Sequence, residues 1–454
     1  METKAWAREE AVKILSKVLR QDAYSNVALK HALDTAELSR VDKALVTEIV
    51  NGTLKNLIRI DWIISQYAKT KKLSPWTEDI LRSGVYQIFY LDRVPDSAVC
   101  NESANLARKL DSEGSVKFVN GVLRNIARNR ENIVYPDKGR SMVKYLSVMY
   151  SHPEWIVKKW LADYGLEFTE ELLKADNETP KFSIRVNRLR AGKEELKKML
   201  AEEEVEYEDG LYNNEEALYI RGTSSIEDKP SFEKGLFQVQ DESSMLVAHV
   251  VDPKPGELII DVCSAPGGKT THMAELMDNK GTIIARDIHV NKLKLVENSS
   301  SRLGIDIVRT EVFNAREKDA GLEAKADRVL VDAPCSGLGV VRRKPDLRWK
   351  KQPDNFVELS RIQLEILSIA GSYVKPGGVL VYSTCTINRG ENLGIVERFL
   401  KKNQAFEPED ISAYLPEKLR GDTAHKGYLE LYPNVHGTDG FFIARLKRKQ
   451  MEES

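Results

Sequence analysis

The chain has 454 residues, 42% of them hydrophobic, which is too long for one ordinary core and ample for two or three. No apolar run reaches the roughly 18–20 residues of a membrane span. The N-terminus shows helix-spaced Ala7, Ala11, Leu15 and Val18 in place of a signal-peptide hydrophobic region, so a cytoplasmic protein is expected. A net charge of −1 argues neither for nor against nucleic acid, and Cys100, Cys263, Cys335 and Cys385 include no CxxC pair, so neither a disulfide framework nor a metal site is expected.

Residues 1–145 read as an all-α bundle of about six helices. Ser39 is an N-cap with Asp42 at the capping-box position, and Val41, Leu45, Ile49 and Val50 form the apolar stripe behind it. Pro75 opens a further helix with Ile80, Leu81, Val85, Ile88 and Phe89 inward. A boundary falls near Tyr135-Pro136-Asp137, and 146–174 reads as a helical linker with one helix near 153–164. Residues 175–235 form a small α+β module, with strands at 182–187 and 217–220 and a helix at 194–200. Arg185, Arg188 and Arg190 are expected on the exposed face of its sheet, where they would suit RNA.

From 236 to 450 strands and helices alternate as an α/β, Rossmann-like domain. Strands are expected at 258–262, 282–285, 307–312, 328–331 and 379–382, with a late strand at 440–446 and helices between. Fully apolar strands joined by amphipathic helices form a parallel, doubly wound sheet, whose ligands sit beyond the carboxyl ends of the strands.

The residues after each strand therefore carry the chemistry. After the first come Cys263, Ser264, Ala265, Pro266, Gly267, Gly268 and Lys269. A P-loop would need glycine at 263, and no dinucleotide fingerprint is present. Asp287, after the second strand, suits ribose hydroxyls. A glycine loop and a ribose acid without a pyrophosphate site fit an adenosine cofactor, S-adenosylmethionine. Asp332 and Cys335 follow the fourth strand, and Cys385 follows the fifth. One such cysteine is usually a small buried hydrophobe. Two at the same sheet face suit covalent catalysis on cytosine, where thiolate addition at carbon 6 makes carbon 5 nucleophilic. Asp332 is then the acid near N3, and Lys269 and the Arg342–Lys344 run are the cations that favour the thiolate. The run from Arg342 to Lys351 holds six basic residues and one acid, with Trp349 as a base-stacking candidate.

These motifs resemble the RNA (cytosine-5) methyltransferases with two active-site cysteines, over about 235–446. The match includes Phe237-Gln238-Val239-Gln240-Asp241-Glu242-Ser243-Ser244, Arg342-Arg343-Lys344-Pro345-Asp346, Lys375-Pro376-Gly377-Gly378 and His436-Gly437-Thr438-Asp439-Gly440-Phe441-Phe442. The N-terminal region resembles the antitermination factor NusB, and the combination is similar to the bacterial ribosomal RNA small subunit methyltransferase B (Sun) family. That resemblance implies a class I S-adenosylmethionine-dependent methyltransferase domain and 16S ribosomal RNA as substrate, with no role for DNA or a membrane and no need of more than a monomer. It implies Cys385 as nucleophile, Cys335 as the residue assisting release, Cys263 to Lys269 as the cofactor loop, Asp287 as the ribose acid and Asp332 as the acid facing cofactor and base. Where the family has an acid for the adenine amino group, this chain has Asn314, whose amide oxygen can accept the same bond. A transfer-RNA methyltransferase is disfavoured by the NusB-like region. A non-catalytic RNA-binding or antitermination protein is disfavoured by the intact cysteines and glycine loop, and a DNA cytosine methylase by the second cysteine.

Overall fold

The computed structural model describes residues 2–69, 72–213, 215–222 and 226–450. The chain divides into two compact units. One runs up to Glu178 and takes in Val341–Lys351, and the other holds Thr179–Val340 and resumes at Gln352.

The first unit is helical. Among the described residues seven α-helices precede residue 129: Glu2–Arg20, Ser25–Thr35, Arg40–Lys55, Leu57–Tyr67, Pro75–Tyr90, Asp96–Leu110 and Glu113–Arg128, where about six were expected. The Ser39 hydroxyl accepts the Asp42 N–H as anticipated. The buried stripe behind it is Val46, Ile49, Val50 and Leu54, however, and Val41 is 72% exposed. Leu45 packs only partly against the same core, and the buried face runs through Asp42, Val46, Ile49, Val50 and Thr53, which leaves Val41 on the solvent side. Helices Met142–Tyr150, Glu154–Tyr164 and Leu166–Ala175 fill the stretch read as a linker with one helix, and they belong to this same unit.

The segment Val341–Lys351 is the main departure from expectation. Its basic residues differ in exposure: Lys344 is exposed, whereas Arg342 and Arg348 are buried. Arg348 is fully buried and donates to the carbonyl oxygens of Lys55, Ser151 and Asp176 and to Asn177 Oδ1, at 3.0–3.4 Å. The Trp349 indole N–H donates to Leu54 O at 2.9 Å, and its ring packs against the cluster of Ile14, Leu15, Ile49 and Leu54. Lys350 donates to Asp22 O and Ala23 O, and Asp346 accepts from Ser25 Oγ and N. Trp349, read as a base-stacking candidate, is thus a strut of the helical unit.

The second unit contains two sheets. The smaller is antiparallel, of β1 (Phe182–Val186), β2 (Glu206–Asp209), β3 (Ala217–Arg221) and β4 (Phe237–Val239) in the order β2-β3-β1-β4, with helix Lys193–Glu202 packed on it. Residues 214 and 223–225 of the expected module lie outside the described residues. Arg185 is not on an exposed face. It is fully buried, paired with Glu275 at 2.6 Å, and donates to Gly268 O and to Gln240 Oε1. A cation leaves solvent only when paired and hydrogen-bonded, and Arg185 meets that condition by tying β1 to the helix that follows the glycine loop.

The larger sheet holds β5 (Leu258–Asp261), β6 (Thr282–Asp287), β7 (Val308–Val312), β8 (Ala326–Asp332), β9 (Val374–Thr384), β10 (Phe406–Pro408), β11 (Tyr428–Leu431) and β12 (Phe441–Arg448). Its order is β10-β12-β9-β8-β5-β6-β7, with β11 also on β12. β5 to β9 are mutually parallel, whereas β10, β11 and β12 join antiparallel, so the sheet is mixed. Apolar clusters cover both faces, which is why the central strands read as unbroken apolar runs. From β5 the chain winds outward to β6 and β7, then returns to β8 and winds the other way. That reversal between β5 and β8 opens a crevice at their carboxyl ends.

Candidate active site

Four strand ends converge on the crevice. Asp261 of β5 lies beside Leu330 of β8 and Ala285 of β6, and Asp332 of β8 lies beside Ser383 of β9. Backbone bonds extend this register into the loops: Ser264 N donates to Arg286 O at 2.8 Å and Ala333 N to Ser383 O at 2.9 Å.

The glycine loop runs from β5 into helix Gly268–Leu276. Gly267 adopts φ +103°, and a Cβ there would lie 3.1 Å from Val296 Cα on helix Val290–Leu303. Both the backbone conformation and the close helix approach require glycine. Cys263 is half-buried, and burial together with the charges of Asp261, Asp332 and Asp287 pushes its thiol well above the usual range. It is therefore a neutral wall of the loop. Asp261 is buried, with Oδ2 accepting from Thr270 at 2.7 Å and Oδ1 without a partner among the described residues. Burial first, and then Asp332, raise its carboxyl to about 7.

Asp332 is held from both sides, by the Lys269 ammonium at 2.7 Å and the Ser383 hydroxyl at 2.9 Å. Burial opposes the charge on Lys269, but Asp332 and then Cys385 outweigh it and hold the ammonium's pKa above its ordinary value. Lys269 also lies 5.2 Å from the centre of the Phe441 ring. It is thus a charged group fixed beside Asp332 at the end of β8.

The two cysteines meet. Cys335 Sγ and Cys385 Sγ are 3.3 Å apart, both half-buried. The hydrogen bond to Cys385 and burial push the Cys335 thiol well above its usual range, and two groups this close titrate as a pair. The backbone around the pair is tight: Gly339 N donates to Cys385 O at 3.1 Å and Gly440 N to Gly339 O at 2.8 Å.

Asp287 lies at the end of β6, its Oδ1 accepting the His289 N–H at 2.8 Å, beside a cavity lined by Ile288, His289, Val290, Asn291 and Lys292. Asn314 sits past β7, but its oxygen already accepts the Arg316 N–H and its amide donates to Glu317. This local turn leaves the oxygen one lone pair for any ligand.

Sequence reasoning missed Glu391. It is fully buried and accepts from Ser336 N and Oγ, Gln363 Nε2 and Asn388 Nδ2 at 2.6–3.0 Å. In the sequence it reads only as the first residue of a helix expected over 391–401, where an acid is ordinary. It also missed a cluster of Glu216, His249 and His272, whose ligand-type atoms lie within 4.8 Å of one another. Glu216 accepts from both rings, at 2.7 and 3.1 Å, while Nδ1 of the buried His272 has no partner. A metal-bound imidazole would normally donate from that nitrogen to an acceptor. The cluster reads as a hydrogen-bonded bridge between β3 and two helices.

The mixed seven-strand path with β12 reversed beside β9, and a glycine loop at its switch point, define the class: a methyltransferase. Family models agree. That described as 16S rRNA methyltransferase RsmB/F matches residues 248–447, the NusB family model matches 6–128, and a ferredoxin-like domain model of the same methyltransferases matches 152–227. The chain is 41% identical over 449 residues to the "probable ribosomal RNA small subunit methyltransferase B" of Bacillus subtilis, covering 98% of this chain and 99% of that one. It is 36% identical to the corresponding Synechocystis protein, covering 97% and 99%. The crystal structure of PH0851 superposes with a TM-score of 0.83 at 29% identity over 99% of both chains. That of NSun6 from Pyrococcus horikoshii with SFG superposes at 0.59 and 27% identity, over 66% of this chain and 99% of that one. The chain therefore belongs to the ribosomal RNA small subunit methyltransferase B family.

Proposed function

We propose that this chain methylates carbon 5 of a cytosine in 16S ribosomal RNA, with Cys385 as covalent nucleophile. The observation that carries the reading is the 3.3 Å approach of two thiols at the ends of adjacent parallel strands, beside the Lys269–Asp332 pair.

The crevice fits S-adenosylmethionine. The φ-positive Gly267 removes a side chain from the loop, Asp261 carries a buried oxygen without a partner, and Asp287 stands beside a cavity. Cys263, Ser264, Ala265, Pro266, Gly267, Gly268 and Lys269 would hold its amino-acid end, Asp287 its ribose and Asp332 its charged centre, with Asn314 near the adenine. The likeness to an NSun6 structure with SFG, an analogue of this cofactor, supports the same group here. When bound, it supplies a methyl group on a cationic sulfur, toward which an activated carbon 5 can react.

The chain's own residues do the rest. The Lys269 ammonium favours the anion on Cys385, whose sulfur bonds to carbon 6 of the base. The electron pair displaced from the C5–C6 bond makes carbon 5 nucleophilic, and Asp332 is the acid near N3. After methyl transfer the carbon-5 proton leaves to a base, the C5–C6 double bond re-forms and the C6–S bond breaks. Cys335, a thiol next to the departing sulfur, returns a proton to it.

The test is to incubate wild-type and Cys385→Ala proteins with unmodified small-subunit RNA and labelled S-adenosylmethionine, then map the label. Wild type should label one cytosine at carbon 5, and Cys385→Ala should lose transfer by at least about a thousandfold, the scale of covalent catalysis. Normal turnover by Cys385→Ala, or label on another base, defeats the proposal.

A further inference from the structure

Two chemically identical thiols must take different roles if the proposed reaction holds, and the inference here rests on that reading. One sulfur attacks and the other keeps a proton. On one side the Lys269 ammonium is paired with Asp332, which also accepts from Ser383, two residues before Cys385. On the other, Glu391, between β9 and helix Leu393–Lys402, accepts from the backbone N–H of Ser336, the residue after Cys335.

Glu391 is 0% exposed and has no ion-pair partner among the described residues. Its charge is borne instead by four neutral donors, two on each oxygen: Ser336 N and Gln363 Nε2 on Oε2, Ser336 Oγ and Asn388 Nδ2 on Oε1. A carboxylate so satisfied keeps its charge when buried. Two of the four donors belong to Ser336, the residue that follows Cys335, and one of them is its backbone N–H. The carboxylate is thereby fixed to the peptide that carries the Cys335 thiol. Thr386 Oγ1 lies 2.8 Å from Ser336 Oγ, which links the same knot to the residue after Cys385.

We propose that Glu391 is the positioning residue that assigns the two cysteines their roles: through Ser336 it anchors the Cys335 peptide and keeps a negative charge on that side of the sulfur pair, while the Lys269 ammonium acts on Cys385. The other groups toward Cys335 are compatible. From β9 there is Tyr382, whose hydroxyl donates to Glu391 O at 2.6 Å, and just after it Cys385 itself. From helix Pro353–Tyr373 there is the uncharged Gln363, which donates to Pro334 O at 2.9 Å. A negative charge beside Cys335 leaves the shared proton there and the anion on Cys385.

The test is iodoacetamide alkylation of the full chain across pH 6–10, read separately at each cysteine by peptide mass spectrometry, in wild type, Glu391→Gln, Ser336→Ala and Asn388→Ala. In wild type Cys385 should react at lower pH than Cys335. Glu391→Gln should lower the Cys335 midpoint by about one pH unit, a roughly tenfold faster reaction at fixed pH below it. Ser336→Ala and Asn388→Ala each remove one donor, leave the carboxylate less neutralised, and should raise the Cys335 midpoint. Loosened packing alone would move all three variants in one direction. Should Glu391→Gln not fold, the other two carry the test. An unmoved Cys335 midpoint, a shift of the same sign in all folded variants, or Cys335 reacting first in wild type overturns the proposal. Because this readout needs neither RNA nor cofactor, the expected shifts in a protein that transfers no methyl would refute the proposed reaction and leave the role of Glu391 standing.

Discussion

At the scale of single residues, the candidate site depends on groups that control distance as much as on groups that react. Gly339 is the sharpest case. A Cβ at this position would lie 2.0 Å from Gly440 O and 2.9 Å from Cys385 O, both backbone atoms that cannot swing aside. Gly339→Ala should displace the strand end that carries Cys385, cost about 1–3 kcal/mol of stability, and lower methyl transfer at least about tenfold, since misplacement of a reacting group by an ångström has that scale of effect. Urea denaturation and a methyl-transfer assay check both, and wild-type turnover in a stably folded Gly339→Ala protein would show that this contact does not set the Cys385 position. The residues proposed to react stood out in the sequence because each lies at or after the end of an apolar strand: Lys269 after β5, Asp332 at the end of β8 and Cys335 after it, Cys385 after β9. Glu391 and Arg185 could not. A charged residue is legible as solvated unless its partners are known, and the partners of Arg185, Gln240 and Glu275, lie 55 and 90 positions away.

At the scale of elements, the segment Val341–Lys351 joins the Cys335 loop to helix Pro353–Tyr373 yet belongs to the helical unit. Burial of Arg348 lowers its pKa to about 10, which still leaves it charged at neutral pH, and its four acceptors come from three separated stretches of that unit. Arg348→Ala should leave those acceptors unsatisfied beside a cavity and destabilise the protein by about 2–4 kcal/mol, measured as a lower urea midpoint. A change below about 0.5 kcal/mol would place Arg348 among ordinary surface positions. The same segment explains why the basic run misled: six cations in ten residues resemble a phosphate-binding stripe until the carbonyl oxygens that receive them are known. The long amphipathic helices and the five parallel strands were legible from period and apolar content. β2, β4, β10 and β11 were not, because three or four residues with charged or polar members carry no reliable alternation. The antiparallel joining of β12 was invisible for another reason: β12 is a buried run paired on both sides, and an apolar run reads alike in either direction.

At the scale of the whole molecule, a catalytic unit interrupted by a segment of another unit is not an independent module. Removal of residues 1–140 would strip Trp349 of its packing cluster and its Leu54 acceptor, Arg348 of the Lys55 carbonyl, and Lys350 and Asp346 of their partners at residues 22–25. The truncated chain should be recovered largely as aggregate, or as a soluble protein with a broad, non-cooperative thermal transition. A soluble, cooperatively unfolding truncation would show that the helical unit is dispensable for folding. The family to which the chain belongs carries both parts together, consistent with that dependence. The covalent bond between Cys385 and carbon 6 can be seen directly with RNA containing 5-fluorocytosine, which blocks loss of the carbon-5 substituent and traps the adduct. The full chain would be incubated with such unmodified small-subunit RNA and S-adenosylmethionine, then digested for mass spectrometry. The account predicts a nucleotide on the peptide bearing Cys385 and none on that bearing Cys335; an adduct on Cys335, or no adduct with RNA that is otherwise methylated, would contradict it.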